Sequence, residues 1–154
     1  MCRNYEDSTI ILLSLIFLHM STQDTRWKQR HENFTKAFNR LKQAVVAIES
    51  QPYNDLYQIA LIGTFQFTFE LAWKTLKDYL KYQGIQAHMP RDVIKQAFHF
   101  QLIQNGQTWI DMLEDGNLMA HVYQEDKAQQ AALSIQCIYV SAITQVHTLL
   151  AEKL

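Results

Sequence analysis

The residues best suited to chemistry lie in one stretch, 109–125, WIDMLEDGNLMAHVYQE. Asp115, Gly116 and Asn117 interrupt an apolar rhythm, and His121, Tyr123 and Glu125 come closely after. A histidine titrates near neutral pH and serves as a general acid or base. An asparagine at a helix start satisfies backbone donors and helps build an anion site there. If the last helix begins at Asn117, then Asn117 and His121 lie one turn apart on one face and could hold a phosphate or a base. The plainer alternative is that Asn117 only caps, His121 only packs, and Tyr123 sits at an interface or core edge. Other catalytic templates are absent from the sequence: no glycine-rich phosphate loop, no G-x-S-x-G elbow and no H-E-x-x-H. The histidines show no helical metal-site spacing, so no metal site is expected.

The elements that must position these residues are helical. With only four Gly and two Pro in 154 residues, there are few of the turns an all-β fold needs. That length is one domain's worth. A net charge of −1 offers no global attraction for nucleic acid or anionic lipid. Locally the charge is uneven. Arg26, Lys28, Arg30, Lys36, Arg40 and Lys42 face a single acid, Glu32, over residues 26–42, whereas residues 96–126 contain no Lys or Arg but carry Asp111, Glu114, Asp115, Glu125 and Asp126. Cys2 and Cys137 form no disulfide or zinc pattern, so a reducing cytoplasm is the expected compartment.

Residues 1–22 differ from the rest. The apolar run 10–18 is too short to span a bilayer and lacks the flanks of a signal peptide. Met20 then opens a polar, start-like sequence. A misassigned start codon is the favoured expectation, with this segment loosely docked or disordered; a membrane anchor is the alternative. Residues 23–154 are expected to form the domain.

The first helix is predicted over 26–50, with Trp27, Phe34, Phe38, Leu41, Val45 and Ile48 as its apolar stripe and a solvated basic face opposite. Pro52 ends it, and Asn54 or Asp55 caps the next. The second, 56–83, is apolar nearly all round, so it lies at the bundle centre or also packs on another subunit. Gln66 and Glu70, one turn apart, either occupy a polar pocket or look out along a polar seam. Gly84 closes this helix. A short third helix covers 89–103, with Pro90 in its first turn and Val93, Ile94, Ala97, Phe98 and Leu102 inside. Thr108 caps a further short helix that Gly116 ends. The last helix runs from Asn117 or Leu118 to about Lys153, with Ala128, Ala131, Ile135, Ile138, Ala142, Val146 and Leu149 as its stripe. The sum is an all-α, up-down four-helix bundle whose third position is split between two short helices.

Three stretches, FQFTFELAWKTLKDYL (65–80), PRDVIKQAF (90–98) and WIDMLEDGNLMAHVYQE (109–125), closely resemble the nucleotidyltransferase substrate-binding protein family, a branch of the HEPN superfamily. With flanking helices the resemblance covers about residues 26–154. It implies a homodimeric bundle and a separately encoded minimal nucleotidyltransferase as partner. Any ATP and Mg would be bound by that partner, with no cofactor in this chain. Related HEPN proteins are ribonuclease toxins, silenced when the nucleotidyltransferase transfers AMP to a Tyr. The superfamily signature is an Arg, a polar residue, three variable positions and a His, often with a Tyr two residues on. Asn117, His121 and Tyr123 match it, but Gly116 stands at the Arg position. Gly supplies neither charge nor hydrogen-bonding fork for a phosphate. Gln66 stands where the family often has Glu, while Glu70 is kept.

Three readings arise from the resemblance. In the first, the chain is a non-catalytic substrate- or nucleotide-binding subunit, its dimer groove built from Asn117, His121 and Tyr123 and lined by Glu70 and Trp73. In the second, it is a HEPN ribonuclease with His121 as the candidate catalytic group, weakened by Gly116 and silenced by AMP on Tyr123. In the third, it is a structural helical dimer. The acidic stretch and the missing Arg favour the first and argue against RNA as a ligand.

Overall fold

The computed structural model describes residues 4–118 and 125–154, without the side chains of residues 4–8, 20, 23, 117, 118 and 125. The elements are α1 (Asn4–Ser50), α2 (Asp55–Tyr82), α3 (Pro90–His99), α4 (Gly106–Leu118), α5 (Glu125–Ser134), a π segment (Ile135–Tyr139) and α6 (Val140–Ala151). No strand occurs among the described residues, and the architecture is the expected all-α bundle. α2 is its hub, packing along α1 and against α3, α5 and α6.

Helix α1 begins far earlier than the apolar stripe suggests. No Gly or Pro precedes Pro52, so nothing in the sequence halts the helix between Asn4 and Ser50. The apolar run lies within this helix, and Ile10, Leu12, Phe17 and Leu18 are all exposed. The core begins at Trp27 and continues through Phe34, Phe38, Leu41 and Ile48, as expected; His31, Ala37 and Ala44 join the same face. Not all of the opposite face is free in solvent. Arg30 Nε donates to Asp78 Oδ2 at 2.7 Å, and Arg26 Nε lies 3.5 Å from the same oxygen, tying α1 to α2.

Asn54 caps α2, its side chain accepting from the Tyr57 amide at 3.1 Å. At the other end Gly84 adopts a φ of 82°, and the Ile85 amide reaches back to the Leu80 carbonyl at 2.9 Å. This is a Schellman stop that favours glycine. The buried face of α2 holds Leu61, Ile62, Phe65, Phe69, Ala72, Leu76 and Leu80. Full burial of each of the larger side chains among them stabilises by about 1.5–3 kcal/mol. Ile59 and Phe67 remain exposed, so this chain alone does not cover α2 all round.

Three further boundaries differ from expectation. Helix α3 stops at His99 rather than 103 because Gln101 takes a φ of 57° and the Leu102 amide bonds the Ala97 carbonyl at 2.8 Å. This is a second Schellman stop, without glycine. Phe98, expected inside, is exposed. Helix α4 is capped by Asn105, whose side chain accepts from the Thr108 amide at 3.1 Å, so Thr108 is not the cap. Gly116 does not end α4; the helix continues through it to Leu118, and Asn117 therefore belongs to α4 instead of opening the last helix.

The last helix carries the largest deviation in pattern. Ala128, Ala132, Ile135, Tyr139, Ile143, Val146 and Leu150 are buried, while Ile138 is exposed. Ala132, Tyr139, Ile143 and Leu150 stand inside where Ala131, Ile138, Ala142 and Leu149 were expected, an offset of one residue that begins ahead of the π segment, in which the Val140 amide bonds the Ile135 carbonyl five residues back. By length and composition Asp126–Ala151 could cross a membrane, yet its apolar stripe forms part of the bundle core.

Candidate functional site

The described edge of the site is the last turn of α4 and the helices that hold it. Gln66 of α2 donates from Nε2 to the Gly116 carbonyl at 3.5 Å, the outer limit of a hydrogen bond. On the other side, Tyr139 of the π segment donates its hydroxyl to Asp115 Oδ2 at 2.5 Å. Beneath them lies an aromatic wall. Tyr139 stacks on Phe65 with ring centroids 5.4 Å apart, Phe65 on Phe69 at 6.0 Å, and Phe69 leans on Trp109 at 5.8 Å. Burial first, then the Asp115 bond, and then the charges of Asp115 and Asp111 push the Tyr139 phenol far above its ordinary range.

Gln66, Glu70 and Trp73 succeed one another at steps of four and three, so they form one row along α2. Glu70 is exposed and paired with Lys74, which also lies 5.7 Å from the Trp73 ring centroid. Of the alternatives for Glu70, the solvent-facing seam is the one observed. Trp73 is half-buried against the core. Asn117 is placed by its backbone on the last turn of α4, while His121 and Tyr123 lie outside the described residues. The relation expected between Asn117 and His121 therefore falls outside the described residues.

Charge matches the sequence with one addition. Arg26 and Arg30 are engaged with Asp78, twelve residues along α2 from Gln66 and hence about 18 Å away along the helix axis. They do not supply the guanidinium missing at Gly116. Arg91 of α3 reaches α4, its Nη2 donating to Glu114 Oε1 at 2.9 Å. Residue 114 stands three positions before Asn117 and shares its side of the helix. No local sequence signal marks Arg91, since the contact spans 23 residues. A side chain added at Gly116 would meet nothing within 4 Å. Among the described residues no group of three or more His, Cys, Asp or Glu is placed to hold a metal.

The fold has counterparts. A Haemophilus influenzae protein, described as revealing the fold of a substrate binding domain of a nucleotidyltransferase, superposes with a TM-score of 0.70 at 23% identity, covering 79% of this chain and 98% of its own. A crystal structure from Thermus thermophilus superposes at 0.58 and 26% identity, covering 69% and 94% respectively. A curated Haemophilus influenzae relative, named probable ribonuclease HepT, is 28% identical over 105 residues, 60% of this chain and 72% of that protein. The model of the family described as nucleotidyltransferase substrate binding protein like matches residues 29–152, and the chain belongs to that family.

Proposed function

We propose that the chain is the substrate-binding subunit of a two-component nucleotidyltransferase, presenting residues 117–123 to a separately encoded catalytic partner that binds ATP and Mg. The observation that carries this reading is Gly116. It occupies the signature's Arg position on a helical turn with open space around its α-carbon, in a stretch without Lys or Arg. A phosphodiester cleaved there would lack its main electrostatic support. Binding needs less. Asn117, His121 and Tyr123 supply polar groups, with Glu70 and Trp73 farther along the α2 row. Exposed Ile59 and Phe67 support a homodimer in which α2 is covered by a second copy. The test is co-expression with the nucleotidyltransferase: the two proteins are expected to purify as one complex, and separate elution at micromolar concentration overturns the reading.

The relative named a ribonuclease favours a second reading. Here His121 retains residual acid–base chemistry, and AMP transferred to Tyr123 silences it by adding a bulky anion to an acidic surface. This reading requires that wild-type overexpression be toxic and that His121→Ala relieve the toxicity; a harmless wild type removes it.

A further inference from the structure

We propose that the outer face of α1 is a docking surface for an anionic lipid bilayer, with the apolar run 10–18 entering the headgroup–acyl boundary and Lys36 and Arg40 meeting lipid phosphates. This surface shares no residue with the site on α4 and does not rest on the function proposed above. The run is exposed on every side of the helix. Ile10, Leu12, Leu15, Ile16, Phe17 and Leu18 range from 50% to 77% exposed, so a partner with one flat face would cover only part of it. No Gly or Pro interrupts α1, and its faces can be followed from the run into the bundle. At about 3.6 residues per turn, Ile11, Leu15, Leu18, Lys36 and Arg40 fall in one sector about 60° wide, opposite His31, Phe34 and Phe38 of the core. Asp24 and Glu32, the two acids between residues 11 and 40, lie outside that sector. Arg26 and Arg30 are held by Asp78, whereas Lys36 and Arg40 are exposed and have no ion-pair partner among the described residues. One face thus presents apolar side chains at one end and two uncompensated cations at the other, about 27 Å apart from Leu18 to Lys36. That pairing matches the acyl boundary and the phosphate level of an anionic membrane. A shallow tilt sinks the run on all sides while Lys36 and Arg40 stay among the headgroups. The hydroxyls in and beside the run are satisfied within the helix. Ser14 Oγ donates to the Ile11 carbonyl at 2.8 Å and Thr22 Oγ1 to the His19 carbonyl at 2.9 Å, so they carry no unpaired donor into lipid. Residues 10–18 reach about 14 Å, too short to span, and the charged Glu6 and Asp7 ahead of them oppose deeper entry. A second copy is a poorer occupant: beyond Leu18 the same sector continues with Thr22, Gln29 and Asn33, which give a coiled coil no apolar seam.

The test is cosedimentation of the full chain with sucrose-loaded vesicles, made either of phosphatidylcholine alone or with phosphatidylserine as about a third of the lipid. Binding to the anionic vesicles is expected at about 0.1 M salt and should weaken at least fivefold at about 0.5 M. Phosphatidylcholine alone should bind at least about tenfold more weakly. The double substitution Lys36→Gln/Arg40→Gln should weaken binding to the anionic vesicles about thirtyfold, each cation contributing about fivefold. Leu15→Ser/Leu18→Ser should weaken it by about tenfold or more. All four positions are exposed, so both variants should keep the wild-type Tm to within about 1 °C. Absence of cosedimentation with the anionic vesicles overturns the proposal, as does equal binding to the two lipids or wild-type binding by Lys36→Gln/Arg40→Gln. Wild-type binding by Leu15→Ser/Leu18→Ser overturns entry of the run. If those leucine substitutions instead lower the mass of the chain in light scattering, with no vesicle binding by the wild type, a second copy covers the run and lipid docking is overturned.

Discussion

Replacing Gly116 separates the two roles the sequence assigns to its position, helix and charge. Gly116 lies inside α4 with its φ outside the left-handed region, and an added β-carbon meets nothing within 4 Å. No steric term opposes a side chain there. Glycine costs a helix interior about 1 kcal/mol relative to Ala, and Arg is nearly as good as Ala. For a domain of this size that corresponds to a rise of about 2–4 °C in Tm. Gly116→Ala and Gly116→Arg should both show it in thermal denaturation. Only the Arg variant should gain affinity for a short single-stranded RNA, with strong salt dependence, because only it adds a phosphate-binding group. A fall in Tm for both variants would refute the helical placement of Gly116. RNA cleavage by the wild type at a rate equal to that of Gly116→Arg would refute the argument that the missing charge matters.

Other expectations concern the scaffold. His31 of α1 and His147 of α6 stack with centroids 5.1 Å apart, and both pKa values are lowered: His31 by burial, His147 by burial and then by the charges of His31 and Lys42. A lowered folded-state value means that the unfolded chain takes up these protons first. Stability should therefore be full above about pH 6.5, the ordinary histidine value, and fall as the pH drops below it; denaturation midpoints from about pH 7.5 to 5 check this, and His147→Gln should flatten the profile. Asp78→Ala leaves Arg30 without its carboxylate and should cost about 2 kcal/mol in urea unfolding, allowing for the exposure of the arginines. Gly84→Ala meets no atoms but must adopt a φ of 82°, so it should lose about 1 kcal/mol by the same measurement.

Much of the scaffold was legible in the sequence because local rules govern it. Asn54 as a cap, Pro90 in a first turn, Gly84 at a stop and the Trp27–Phe34–Phe38–Leu41 stripe all arise from periodicity and backbone chemistry. Features that depend on distant partners were not legible. Asp78 meets Arg30 across 48 positions, and His31 meets His147 across 116. On the last helix two neighbouring stripes both satisfy the helical repeat, and packing against α2 selects the one with Ala132, Tyr139, Ile143 and Leu150 inside over the one with Ile138. At the site, Gln66 stands out in the sequence as a polar residue in an aromatic helix, but its contact with Gly116 depends on the fold. Gly116 itself illustrates an ambiguity: glycine is a common helix stop, yet the turn is completed through it because α2 and the π segment hold both sides.

In the proposed function, catalysis belongs to a partner and recognition to this chain. Light scattering on the purified chain mixed with its cognate nucleotidyltransferase tests it most directly. A single particle whose mass requires both proteins, formed at micromolar concentration without RNA, is the predicted result. Two species that keep their separate masses under the same conditions would contradict it.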